Sequence, residues 1–215
     1  MAELWPDRRL AAETNILIIA VRPGEESRRY GGLIAELCRR GRPPYVTILT
    51  DGSGGAGAEA EAVAAGRGAA ARRAVDHLGL PAERLLLIGL HDGASGSAPT
   101  ILGALVSAYD LLSWARDCQT VCVAGDPAPS GDHDLARRLG EGLSAQAGLG
   151  YVLSLDPAGA SLDDASMERG RIDIRRHLAA KSGAQAEYPA AAADARPYEH
   201  FAVLRDAAES ARFWD

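Results

Sequence analysis

Asn15 to Gly32 reads NILIIAVRPGEESRRYGG, and the fold follows from how this stretch changes character. Ile16 to Val21 is an apolar run rich in β-branched residues, far too short to cross a bilayer and the length of a buried parallel strand. It breaks into a loop punctuated by Pro23 and Gly24 and loaded with Arg22, Glu25 and Glu26. Gly31-Gly32 then leads into the helical spacing Leu33, Ile34, Leu37, Cys38. Ligands of open α/β sheets sit beyond the carboxyl ends of strands, so this loop is the first place to expect chemistry.

Working outward, the same alternation recurs. Tyr45 to Thr50, Arg84 to Leu90, Thr120 to Ala124 and Tyr151 to Leu155 read as further strands, and the first two end in Asp51-Gly52-Ser53-Gly54-Gly55 and His91-Asp92-Gly93. Helical spacing fills the intervals at about 66–78, 101–114 and 133–147. Strands alternating with helices predict βαβ units: an α/β, Rossmann-like, mostly parallel sheet flanked by helices. Beyond Pro157 the pattern weakens to a loop, a strand near Gly170 to Ile174, a helix over 176–188 carrying Lys181, and a polar, alanine-rich tail with an apolar patch at Phe201 to Leu204. One domain over 1–215 is expected, with a βα core at 14–155 and a C-terminal extension at 156–215; 215 residues suit one sizeable core.

Composition narrows the partners. A net charge of -6, with no run of Lys or Arg, argues against nucleic acid. Neither a signal-peptide core nor an apolar stretch of about 20 residues is present, so no membrane partner and a cytoplasmic location are expected. Cys38, Cys118 and Cys122 are odd in number and lie in apolar context, which suits small buried hydrophobes.

Together these motifs resemble the LmbE-like or PIG-L family of zinc-dependent N-acetylglucosaminyl de-N-acetylases. That family's first strand ends in Ala-His-Pro-Asp-Asp-Glu, then four residues and Gly-Gly. Here the same frame reads Val21-Arg22-Pro23-Gly24-Glu25-Glu26, then Ser27 to Tyr30, then Gly31-Gly32. Leu49-Thr50-Asp51-Gly52, Arg67 with Leu78-Gly79, Asp92-Gly93, Ser130-Gly131-Asp132-His133, Lys181 with Tyr188-Pro189, and Tyr198-Glu199-His200-Phe201 follow in the family's order. The resemblance covers nearly the whole chain and implies an LmbE/PIG-L-like fold.

The departures bear on activity. Carried over position by position, the family's zinc ligands become Arg22, Glu25 and His133. Arginine has no lone pair to donate. A unit charge about 4 Å from a dication costs about 8 kcal/mol at an effective dielectric of about 20, so zinc is expected only if Arg22 is displaced, and otherwise no cofactor. The family's general base is Gly24, and loss of a positioned base costs roughly 10² to 10⁴ in rate. Its oxyanion-stabilising histidine is Ser130, which brings no positive charge. No catalytic residue is therefore assigned among Gly24, Ser130 and Asp132; Asp132 is in place to orient the imidazole of His133. Arg67, Asp92, Arg22 and Tyr188 are the candidate ligand contacts. Arg22, with a planar fork three residues from Glu25, is expected to pair with it in the old metal site.

Two functions follow from the resemblance. One is a de-N-acetylase homologue without zinc or base, acting on its own as a sugar- or nucleotide-sugar-binding protein or alongside an active paralogue or second copy. The other is an active amide hydrolase of the de-N-acetylase type with a rebuilt site.

Overall fold

The computed structural model describes residues 15–93, 113–125, 131–155, 168–188 and 196–205. Their seven strands are β1 Ile16–Ala20, β2 Tyr45–Thr50, β3 Leu85–Leu90, β4 Thr120–Gly125, β5 Gly150–Leu155, β6 Glu168–Asp173 and β7 Tyr198–Arg205. Helices include α1 Glu25–Arg39, α2 Ala60–His77, α3 Gly131–Ala147 and α4 Leu178–Ala186, and 113–116 are helical as well. All strands join one sheet in the order β3-β2-β1-β4-β5-β7-β6. The first five are parallel, and β7 runs antiparallel to both its neighbours.

β1 is central because it is apolar on both faces. Ile16, Ile18 and Ala20 pack beneath Leu33, Ile34 and Leu37 of α1 and Ala71, Ala74 and Val75 of α2. Leu17, Ile19 and Val21 face Ala136 and Leu143 of α3, with Ala115. Each fully buried Ile or Leu contributes roughly 1.5–3 kcal/mol. These are the helix layers on either side of a mostly parallel sheet that the strand and helix alternation predicts.

Three boundaries differ from expectation. α2 begins at Ala60 rather than near residue 66, because Ala60 to Ala65 are mostly strong helix formers although they sit in a glycine-rich surrounding. The helix expected over 176–188 is a 3-10 turn at Arg175–His177 followed by α4. The expected polar tail contains β7, which lies between β5 and β6 and joins β6 to the sheet. Most of the run expected as a helix over 101–114, and the loop over 156–167, lie outside the described residues. No helix among the described residues is long and apolar enough to cross a membrane.

The C-terminal segment is tied to α1 by a buried polar contact. Lys181 Nζ donates to Glu199 Oε1 at 2.9 Å, and the amides of Gly32 and Leu33, in the middle of α1, donate to the same carboxylate at 2.8 and 2.9 Å. Gly32 is required there, since a methyl group on it would lie 2.2 Å from Ile174 Cγ2.

Candidate functional site

The chain leaves β1 toward β2 and β3 on one side and returns to β4 on the other. The loops after β1 and β4 therefore flank the crevice where ligands bind in open α/β sheets. Glu25, at the start of α1, and His133, in the first turn of α3, meet across it: His133 Nε2–H donates to Glu25 Oε1 at 3.1 Å. Glu25 Oε2 accepts the Val21 amide at 3.1 Å. Burial works to raise the Glu25 pKa, but the His133 ring, Arg29 and the Val21 N–H outweigh it and hold the carboxyl below its usual range.

Arg22 does not pair with Glu25. Its Nε donates to Asp92 Oδ1 at 2.6 Å, and an Nη2 hydrogen points to Asp132 Oδ2 at 3.4 Å. The physical reason is that both Glu25 oxygens are already engaged, one by the Val21 amide and one by the His133 ring, while the carboxylates of Asp92, after β3, and Asp132, in α3, lie within reach of Arg22. Partial burial opposes the charge on Arg22, yet Asp92 and Asp132 raise its pKa further, so it is a fixed cation. Asp132 also accepts the Gly93 amide at 3.0 Å. Its carboxylate thus serves Arg22 and Gly93 rather than the imidazole of His133 that it was expected to orient.

Gly24 has φ 100, a left-handed conformation that side-chain-bearing residues adopt at a cost. A carboxylate at this position, where the resemblance implies a general base, would need that strain or a changed loop. The loop is held from below by Glu26, whose fully buried carboxylate accepts the Gly24 amide at 2.7 Å, the Ser27 hydroxyl at 2.6 Å and the Tyr188 hydroxyl at 2.7 Å. Burial raises the Glu26 pKa against these three bonds. The Tyr188 ring lies 3.6 Å from the point where a Gly24 Cβ would be. Tyr188 therefore packs beneath the loop, with its hydroxyl committed to Glu26 rather than turned to a ligand.

Arg67 reaches from α2 to the same edge. Its Cδ and Nη1 lie 2.9 Å from the position of a Gly52 Cβ, with Pro23 Cδ at 3.2 Å from that point, and its side chain is exposed. Asp92 Oδ2 lies 2.5 Å from the corresponding point on Gly54. Arg22, Arg67, Asp92, Asp132, Glu25 and His133 thus come together at the carboxyl edge of the sheet. Ser130 lies outside the described residues.

Two contributors escaped sequence reasoning. Asp51 Oδ1 accepts the Ser53 amide and hydroxyl at 2.8 and 2.7 Å and the Asp92 amide at 3.2 Å, so it fixes the backbone that carries Asp92. His91 is exposed, with Nδ1 2.8 Å from Ser53 Oγ. The signal for both was their place in Gly-rich strand-end turns, which is also where ordinary turn formers sit.

As a donor set for zinc, the three implied positions do not fit. The guanidinium of Arg22 cannot ligate, which leaves one carboxylate and one imidazole where a catalytic zinc takes three protein ligands. Among the described residues no group of three His, Cys, Asp or Glu side chains is arranged to hold a metal ion.

No protein-family model and no curated protein matches the sequence. Solved structures match its fold. The A40926 pseudoaglycone deacetylase Dbv21 superposes with a TM-score of 0.67 at 18% identity, covering 90% of this chain and 98% of that one. N,N'-diacetylchitobiose deacetylase from Pyrococcus horikoshii gives 0.59 at 17% identity, over 87% and 76%. The 4-carboxy-2-hydroxymuconate hydratase GalB from Pseudomonas putida KT2440 gives 0.64 at 16% identity, over 89% and 96%. The fold is that of LmbE/PIG-L-type deacetylases, as the order of the sequence motifs led one to expect.

Proposed function

We propose that this chain is a de-N-acetylase relative that binds an acetamido sugar or a nucleotide derivative of one without zinc and without hydrolysing it. The observation that carries the reading is Arg22, a permanent cation bonded to Asp92 and Asp132 at a position where the resemblance implies a metal ligand. The left-handed Gly24 supports it, because position 24, where the resemblance implies the general base, carries no side chain. Arg67, Asp92, Asp51 and His91 offer donors and acceptors for sugar hydroxyls around the same edge. The deacetylase names of Dbv21 and the chitobiose enzyme bring the acetamido group into the proposal.

The test pairs two measurements on purified protein. Calorimetric titration with N-acetylglucosamine and UDP-N-acetylglucosamine is expected to show binding, millimolar affinity sufficing, with weaker binding of glucosamine. Incubation of the same ligands with and without added zinc is expected to release no acetate. Zinc-dependent acetate release would overturn the reading in favour of a second one, an amide hydrolase with a rebuilt site. One observation favours that alternative: Glu25 Oε1 and His133 Nε2 stand 3.1 Å apart, close to the spacing of about 3.3 Å between two ligands of one tetrahedral zinc.

A further inference from the structure

The two edges of the sheet have opposite chemistry. β6 reads Glu-Arg-Gly-Arg-Ile-Asp, the charged composition that keeps an open edge from recruiting another strand. β3, at the other edge, begins Leu85-Leu86-Leu87-Ile88, without a charge or a proline. Leu85 and Leu87 pack against one core and Leu86 and Ile88 against the other, yet all four remain partly exposed. β2 satisfies one side of β3, and among the described residues no strand pairs with the other. The register irregularity of this pair falls between Ile48 and Thr50, opposite Leu87 to Leu90, and Gly89 has φ 75, so the bend comes after Leu87 and leaves three regular positions, Leu85 to Leu87, before it.

We propose that β3 is an assembly edge and that its partner is β3 of a second copy, paired antiparallel about a two-fold axis so that two sheets become one. A strand added here needs apolar side chains on both faces, because the residues it would lie beside are apolar on both. β3 is itself such a strand, and a two-fold antiparallel pairing presents it to itself with every contact made twice. That arrangement also brings the start of one strand to the end of the other, where the exposed acidic Glu83 of one copy faces the exposed His91 of its partner.

The experiment is sedimentation velocity across a hundredfold range of protein concentration, with amide hydrogen exchange measured at both ends of the range. Expected is a monomer–dimer equilibrium in which exchange at 85–88 slows with concentration while exchange in β6 does not change. Ile88→Lys should shift the equilibrium at least tenfold toward monomer. Should that variant fail to fold, the exchange data on the unmodified chain decide. A monomer at every concentration overturns the proposal, whether the edge is vacant or takes a strand from a different protein. So does a dimer whose exchange at 85–88 is independent of concentration.

Discussion

Replacing Arg22 by alanine perturbs the site at the residue on which its reading rests. The change removes the 2.6 Å bond to Asp92, a charge-assisted contact of the kind worth roughly 1.5–3 kcal/mol, and the long 3.4 Å contact to Asp132, which adds little. The Arg22 side chain is 37% exposed, so solvent screening moves the first figure toward its lower end. Against that, Asp132 is only 3% exposed and would keep just the Gly93 amide, leaving a buried carboxylate short of a cation. The net expectation is a loss of about 2 kcal/mol, or about 4–8 °C in Tm for a domain of this size. Urea and thermal unfolding of wild type, Arg22→Ala and Arg22→Lys measure it. Lysine should recover only part of the loss, because an ammonium cannot reproduce the guanidinium fork. A double-mutant cycle with Asp92→Ala assigns the coupling to the pair. Should Arg22→Ala stay within about 0.5 kcal/mol of wild type, the side chain is solvated and the reasoning fails.

Other parts of the site give further expectations. Gly24→Asp should cost about 1–2 kcal/mol, since φ 100 strains any residue with a Cβ while Tyr188 leaves room for one; Gly24→Ala should cost about as much, and an unchanged melting temperature for either would contradict the strain. Tyr188→Phe should cost about 1–3 kcal/mol in urea unfolding, because it removes one of three donors from the buried Glu26. Burial pushes the Cys38 thiol up to about 11 and those of Cys118 and Cys122 up to about 12. All three are therefore neutral at pH 8, and any stability tied to their protonation falls as pH rises from the unfolded thiol pKa of about 8.5 and is fully lost once pH passes those values. Alkylation of the native protein should be slow at pH 8 and rise about tenfold per pH unit at Cys38, where fast native labelling at pH 8 would contradict the burial.

Much of this molecule could be read from the chain alone, for identifiable reasons. β1, β2 and β4 are apolar on both faces, so periodicity and length suffice to place them between two helix layers. β7 was hidden because Tyr198–Arg205 opens with Tyr-Glu-His, follows an alanine-rich stretch, and gains its order from antiparallel partners far away in sequence. The site residues were legible as a set through the order of their motifs, but their pairings were not. Arg22 binds partners 70 and 110 residues away, whereas sequence proximity favoured Glu25 three residues on. What decided against Glu25 was the Val21 amide, a local contact, and the His133 ring, whose approach depends on how β1 and β4 are aligned in the sheet.

The guanidinium of Arg22 stands at the position where the sequence resemblance implies a metal ligand. Diffraction from crystals soaked in zinc, with data collected on both sides of the zinc absorption edge, tests it most directly. Expected is Arg22 bonded to Asp92 and Asp132, Glu25 bonded to His133, and no anomalous peak between them. An anomalous peak bounded by Glu25 and His133, with Arg22 turned away from both aspartates, would contradict it.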